Sequence, residues 1–161
     1  MLAATMQKLS GAVAAVALFA QLAFAVDNKK AEYMGGTWGQ FAQGTEGKLD
    51  VSNEAKALFL PDKKKGNPAE IVYAKVTSLE YGQKTGRRIG LTLVTGAWPL
   101  LLSKKRRHYL TIGFSGDDGK PQGVVLELGK DITRGMLTTF ETRTGKKVEY
   151  ETEDARKNIG N

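Results

Sequence analysis

Cysteine is absent from this chain of 161 residues, and histidine occurs once. No disulfide framework can form, so the fold has to rest on its core. One His and no Cys leave a tetrahedral zinc site without its usual ligands, and no metal or cofactor is expected. The lack of a thiol also excludes a lipoprotein anchor and a cysteine nucleophile. Serine chemistry has little support: Gly113-Phe114-Ser115-Gly116 falls short of G-x-S-x-G, and Ser115 sits at a turn. Gly35-Gly36-Thr37-Trp38-Gly39 is not followed by G-K-[ST], as a phosphate loop requires. Asp117-Asp118-Gly119 lacks the spacing and the distal Glu of a calcium loop. There is no internal repeat and no low-complexity tract. A non-enzyme is expected.

Acidic residues are missing from a whole interval, between Glu80 and Asp117. That interval carries Lys84, Arg87, Arg88, Lys104, Lys105, Arg106 and Arg107, and the basic clusters enclose an uncharged run from Ile89 to Leu102 (IGLTLVTGAWPLLL). As a helix, fourteen residues reach about 21 Å, short of a hydrocarbon core about 30 Å thick. As one strand the run would reach about 46 Å, too long for a small domain. It must break, and Thr95-Gly96-Ala97-Trp98-Pro99 is the natural place. One reading makes it two core elements with solvated basic flanks. The other makes it a hydrophobic wedge tipped by Trp98 with an Arg/Lys collar, suited to an anionic membrane interface or a partner's groove. On the second reading the contact residues are Arg87, Arg88, Trp98 and Lys104 to Arg107. His108 follows four basic residues, which disfavour its protonation, and it reads as a residue starting a strand at a basic rim.

What is present at the N-terminus gives an address. Lys8 precedes an apolar run from Gly11 to Phe24, Ala23-Phe24-Ala25 is an A-x-A site, and polarity returns with Asp27-Asn28-Lys29-Lys30. These features describe a secretory signal peptide over 1–25, cleaved near Ala25 to give a periplasmic or secreted protein. The alternative is retention as an anchor, since Leu9 to Val26 carries no charge over nearly a bilayer's span. The net charge is +7, and the signal contains only Lys8. A basic exported domain favours anionic partners such as phospholipid headgroups or acidic envelope proteins, and no nucleic acid is expected.

The rest of the chain reads as one β domain. Residues 26–45 form a loose N-terminal segment with a short strand around Trp38. From 46 to 151, strands are predicted at Gly47–Val51, Ala57–Leu60, Ile71–Tyr73, Val76–Tyr81, Tyr109–Phe114 and Val124–Leu128, with a short one around Val148 and Tyr150. The turn residues Ser115 to Pro121 make Tyr109–Phe114 and Val124–Leu128 a hairpin. Ile132, Met136, Leu137 and Phe140 share one face of a helix over 131–144, with Asp131 as N-cap and Gly145 ending it. Residues 152–161 form a polar tail. A single amphipathic helix must bury its stripe against the sheet. The expected fold is therefore mainly β: a small antiparallel bent barrel or sandwich of about seven strands capped by one C-terminal helix.

The strand-rich run Gly47-Lys48-Leu49-Asp50-Val51, Leu58-Phe59-Leu60, Ile71 to Val76 and Ser78 to Gly82, with His108 to Ile112 and the helix, resembles a bacterial pleckstrin-homology-like (GRAM-like) domain. The resemblance covers roughly Gly47 to Tyr150 and implies a bent seven-stranded barrel with a helical cap. It also extends to small exported bacterial proteins that carry such a domain. Two departures stand out: the apolar segment after Arg88 exceeds what a strand pair needs, and no complete phosphoinositide-binding motif is present. Gly36-Thr37-Trp38 is similar to the G-x-W of lipocalin-like barrels, which also place a helix before a final strand. The expected function is a non-catalytic binding or scaffolding module at the cell envelope. The alternatives are a lipocalin-like carrier of a small apolar ligand and, third, a hydrolase with an unrecognised carboxylate site.

Overall fold

Strand alternation sorts the chain into an inner and an outer wall. In the hairpin of His108–Ser115 (β6) and Pro121–Leu128 (β7), Leu110, Ile112 and Phe114 share one core with Val124, Leu126 and Leu128. Successive side chains of a strand point to opposite faces, so every second residue reaches that core. The intervening turn closes through Gly116 N–H donating to the Lys120 carbonyl at 2.8 Å, with Gly119 at φ 76°. The computed structural model describes residues 29–62, 66–83, 107–157 and 159.

The other strands are Lys29–Gly36 (β1), Thr45–Asp50 (β2), Lys56–Pro61 (β3), Ala69–Val72 (β4), Val76–Gly82 (β5) and Val148–Tyr150 (β8). Their order in the sheet is β4-β3-β2-β1-β7-β6-β5-β8. All pairs are antiparallel except β5 with β8. Two meanders, β1–β4 and β5–β7, therefore meet at one seam between β1 and β7. The result is a mainly β, curled eight-stranded sheet with a helical cap, as the alternation predicted, with one strand more than the seven expected.

The added strand is β1, which lies at the centre of the sheet where the sequence reads as a loose segment. Its alternation breaks because Tyr33 and Met34 are both buried, on opposite faces. A register shift between Tyr33 and Gly35 accompanies the break. Gly36 sits at φ 135°, and its Cα lies so near the Gly123 carbonyl that a Cβ has no room. The strand expected around Trp38 precedes it. Trp38 itself lies in the following loop and turns into the core, stacked on Tyr33 at 5.8 Å and edge-on to Phe41 at 5.8 Å.

The helix Lys130–Thr144 (α1) buries Ile132, Met136, Leu137 and Phe140 in the same core. Phe140 is fully buried and meets the Tyr73 ring edge-on at 5.6 Å. Tyr73 belongs to the 3₁₀ turn Tyr73–Lys75 that joins β4 to β5. The helix ties the connection between β2 and β3 to the edge strand β8. Arg143 donates to the carbonyls of Val51 (2.6 Å) and Asn53, beyond β2, and Glu141 accepts from the Val148 N–H of β8 at 2.9 Å. Gly129, not Asp131, occupies the N-cap, and no side chain caps it. Asp131 lies in the first turn, where its charge suits the helix dipole. Gly145 in the left-handed region ends the helix, its N–H donating to Glu141 O at 3.0 Å. The stretch read as a polar tail contains a second helix, Glu153–Lys157 (α2), anchored by buried Ala155. Among the described residues no helix is long and apolar enough to cross a membrane.

Candidate binding surface

β5 ends at Gly82 and β6 begins at His108, and the Arg107 N–H donates to the Gln83 carbonyl at 3.5 Å. Gln83 and Arg107 thus meet at one end of the β5–β6 pair. Of the residues expected to make contacts, Arg87, Arg88, Trp98, Lys104, Lys105 and Arg106 lie outside the described residues. Arg107 is described, and it already holds a carboxylate: its Nη1 donates to Glu127 Oε1 at 2.9 Å and Oε2 at 2.8 Å. Hydrogen bonding and charge from Glu127 push the Arg107 guanidinium further up.

His108 starts β6 as expected, but it is a buried residue with a specific partner. Even-numbered positions of β6 face inward, which brings the imidazole to Tyr81 of β5, with the Tyr81 hydroxyl 2.6 Å from His108 Nδ1. The rings stack at 6.1 Å, and Tyr150 of β8 packs edge-on against Tyr81 at 5.9 Å. Burial, and then the Lys130 charge, lower the His108 pKa against the opposing pull of Glu127. Burial pushes the Tyr81 phenol up, so the hydroxyl keeps its proton, and the two groups share one hydrogen bond. The partner of Nδ1 is the Tyr81 hydroxyl and not a carboxylate. Among the described residues no three His, Asp or Glu side chains converge as metal ligands.

A feature that sequence reasoning missed lies on the outer wall of the same strands. Met34, Tyr109 and Val125 form a buried cluster of their own, apart from the core. Carboxylates surround it in facing pairs, Glu32 opposite Glu127 and Glu80 opposite Glu149. Burial, and then the Glu149 charge, raise the Glu80 carboxyl above its ordinary range. These residues come from five strands, and only the register brings them together. Neither any protein-family model nor any curated protein matches this chain, so its function has to be read from these residues.

Proposed function

We propose that this protein is an exported, non-catalytic binding module of pleckstrin-homology-like type, which meets an anionic membrane surface of the cell envelope through the basic-flanked apolar segment 89–102. The observation that carries this reading is the meeting of Gln83 and Arg107, the residues that border 84–106 in the sequence, at one end of a wall held by a packed core. In the sequence, basic residues flank an uncharged run between these two positions. Each basic residue near an anionic surface contributes about 1 kcal/mol, and apolar insertion adds to it. The aromatic fill supports a recognition module over a carrier. Trp38, Phe41, Phe59 and Phe114 crowd the interior with centroids 5.3–6.5 Å apart, where a carrier needs a cavity of several hundred Å3. The lipocalin-like alternative draws on the placement of α1 before β8.

Vesicle sedimentation tests the proposal. The protein should pellet with anionic phosphatidylglycerol-containing vesicles at low salt and stay in solution with phosphatidylcholine alone. Changing Lys104, Lys105, Arg106 and Arg107 to Gln should weaken pelleting, with a loss that shrinks at high salt. Trp98→Ala should weaken it at every salt concentration without lowering Tm. Protein that remains in the supernatant with anionic vesicles at low salt refutes the proposal.

A further inference from the structure

β8 is the least secured strand of the sheet. It stands at one end of the strand order, and β5 is its one neighbour there. It pairs over three residues, Leu79 with Val148, Glu80 with Glu149 and Tyr81 with Tyr150, and the pairing is parallel. Parallel ladders are slightly less stable per residue than antiparallel ones. The Glu151 N–H extends the ladder by donating to the Tyr81 carbonyl at 2.9 Å. Beyond it, α2 seats Ala155 in the core, and Arg134 of α1 donates to the Ile159 carbonyl at 3.0 Å. β8 and α2 thus lie as one strap along the edge of the barrel wall.

Two carboxylates stand side by side in the middle of that short ladder, Glu80 and Glu149. Neighbouring strands lie about 5 Å apart, and paired residues share a face. Like charges so placed destabilise a sheet. Among the described residues no ion pair answers either one. On this outer face Glu80 meets Thr111 of β6, with Tyr109 and Gly113 to either side, and has Ser78 and Gly82 on its own strand. Glu149 lies between Lys147 and Glu151. On the inner face the titratable group is His108, which reaches β8 through Tyr81 and Tyr150. Burial and the Glu149 charge raise the Glu80 carboxyl, so Glu80 takes up a proton first. An ionised carboxylate only accepts, whereas a protonated one also donates, so one proton turns the repulsion into a charge-assisted hydrogen bond.

We propose that β8 is a proton-fastened strap: near neutral pH the charges of Glu80 and Glu149 loosen it from β5, and in mild acid a proton shared between them fastens it, and α2 with it, to the barrel wall. Loosening draws Tyr150 off the Tyr81 ring and opens the edge of β5 beside the Tyr81–His108 pair. The strap works without a membrane, so the test is made on the free protein.

Amide exchange followed by NMR, with each rate divided by its intrinsic value at that pH, reads the strap in the intact chain. The Glu151 amide reports directly, because its bond to Tyr81 exists only while β8 is docked. Its protection relative to the Ile112 amide of β6 should rise about two- to fivefold between pH 7.5 and 5. Glu80→Gln keeps a donor beside Glu149 at every pH, so it should show the acid-level ratio already at pH 7.5 and no further rise. Glu149→Gln should do the same, and the double variant should add nothing, since one neutral side chain removes the repulsion. In Glu149→Gln the 13C titration of the Glu80 carboxyl should move down toward its ordinary range. The series is repeated in His108→Gln, which removes the opposing response of the imidazole to acid. Unchanged Glu151 protection in both single variants at pH 7.5, or gains that add in the double variant, would overturn the proposal. So would a ratio that stays level or falls with pH in His108→Gln.

Discussion

Phe140→Ala tests whether α1 holds the curled sheet closed. The Phe140 side chain is fully buried and packs edge-on against Tyr73, in the turn that joins β4 to β5. Removing it deletes a ring from the contact between the helix and the open side of the sheet, and the space left behind cannot collapse freely because Tyr73 is anchored in that turn. Phe-to-Ala changes in cores cost about 3–5 kcal/mol, combining lost transfer energy with the cavity. An edge-on aromatic pair contributes about 0.5–1.5 kcal/mol beyond its burial, which places this site toward the upper end. Urea unfolding followed by circular dichroism should show a midpoint lowered at unchanged slope, and Tm should fall by about 10 °C or more. Phe140→Leu keeps most of the volume and should recover more than half of the loss. A change below about 1 kcal/mol for Phe140→Ala would refute the reasoning, because the helix would then contribute little to closure.

Arg143→Ala should cost about 2 kcal/mol by urea unfolding, since it strips charge-assisted bonds from the carbonyls of Val51 and Asn53 and a guanidinium 5.5 Å over the Tyr73 ring. Arg143→Lys should recover less than half, because an ammonium cannot fork between two acceptors. The lowered His108 pKa means that the unfolded chain takes up the proton first, so stability is complete above about pH 6.5 and declines as pH falls through the folded value. Glu80, shifted upward, works in the opposite sense as pH falls toward 4.5. Melts between pH 7.5 and 5 should therefore show His108→Gln lacking the acid-side decline, and identical pH profiles for the two proteins would rule out His108 as its source. Gly36→Ala should cost more than about 2 kcal/mol, as both φ and the Gly123 carbonyl oppose a Cβ, whereas Gly119→Ala, with open space and a positive φ, should cost about 1 kcal/mol. Equal costs for the two in urea unfolding would remove the role assigned to the β1–β7 approach.

Elements with a clean period are legible in the sequence. β6 and β7 are rich in apolar and β-branched residues on either side of a turn rich in Gly and Asp, and α1 carries four apolar residues on one face. β1 is not legible, because Tyr33 and Met34 bury opposite faces and two glycines follow. A strand buried on both sides loses the contrast on which alternation rests. The candidate site is less legible still. The cationic clusters are visible as composition, but the contact between Tyr81 and His108 spans a long connection, and the facing pairs of Glu32, Glu80, Glu127 and Glu149 need the register of five strands. Pairing across such distances in the sequence leaves no local trace.

The seam between β1 and β7 sets an order in time. Ala31 pairs with Leu128, so the first described strand waits for one of the last, although its other edge can pair with β2 at once. Long-range strand pairing is slow, and all-β domains of this kind fold in milliseconds to seconds. Synthesis adds a longer delay: at about 5–20 residues per second, β7 follows β1 by roughly 5–20 s. For that interval the unpaired side of Lys29–Gly36 offers its backbone to any strand that passes, including the same strand of another nascent chain. A factor that holds the chain extended until Leu128 has emerged would therefore raise the yield of folded protein, and one that acts only afterwards would come too late.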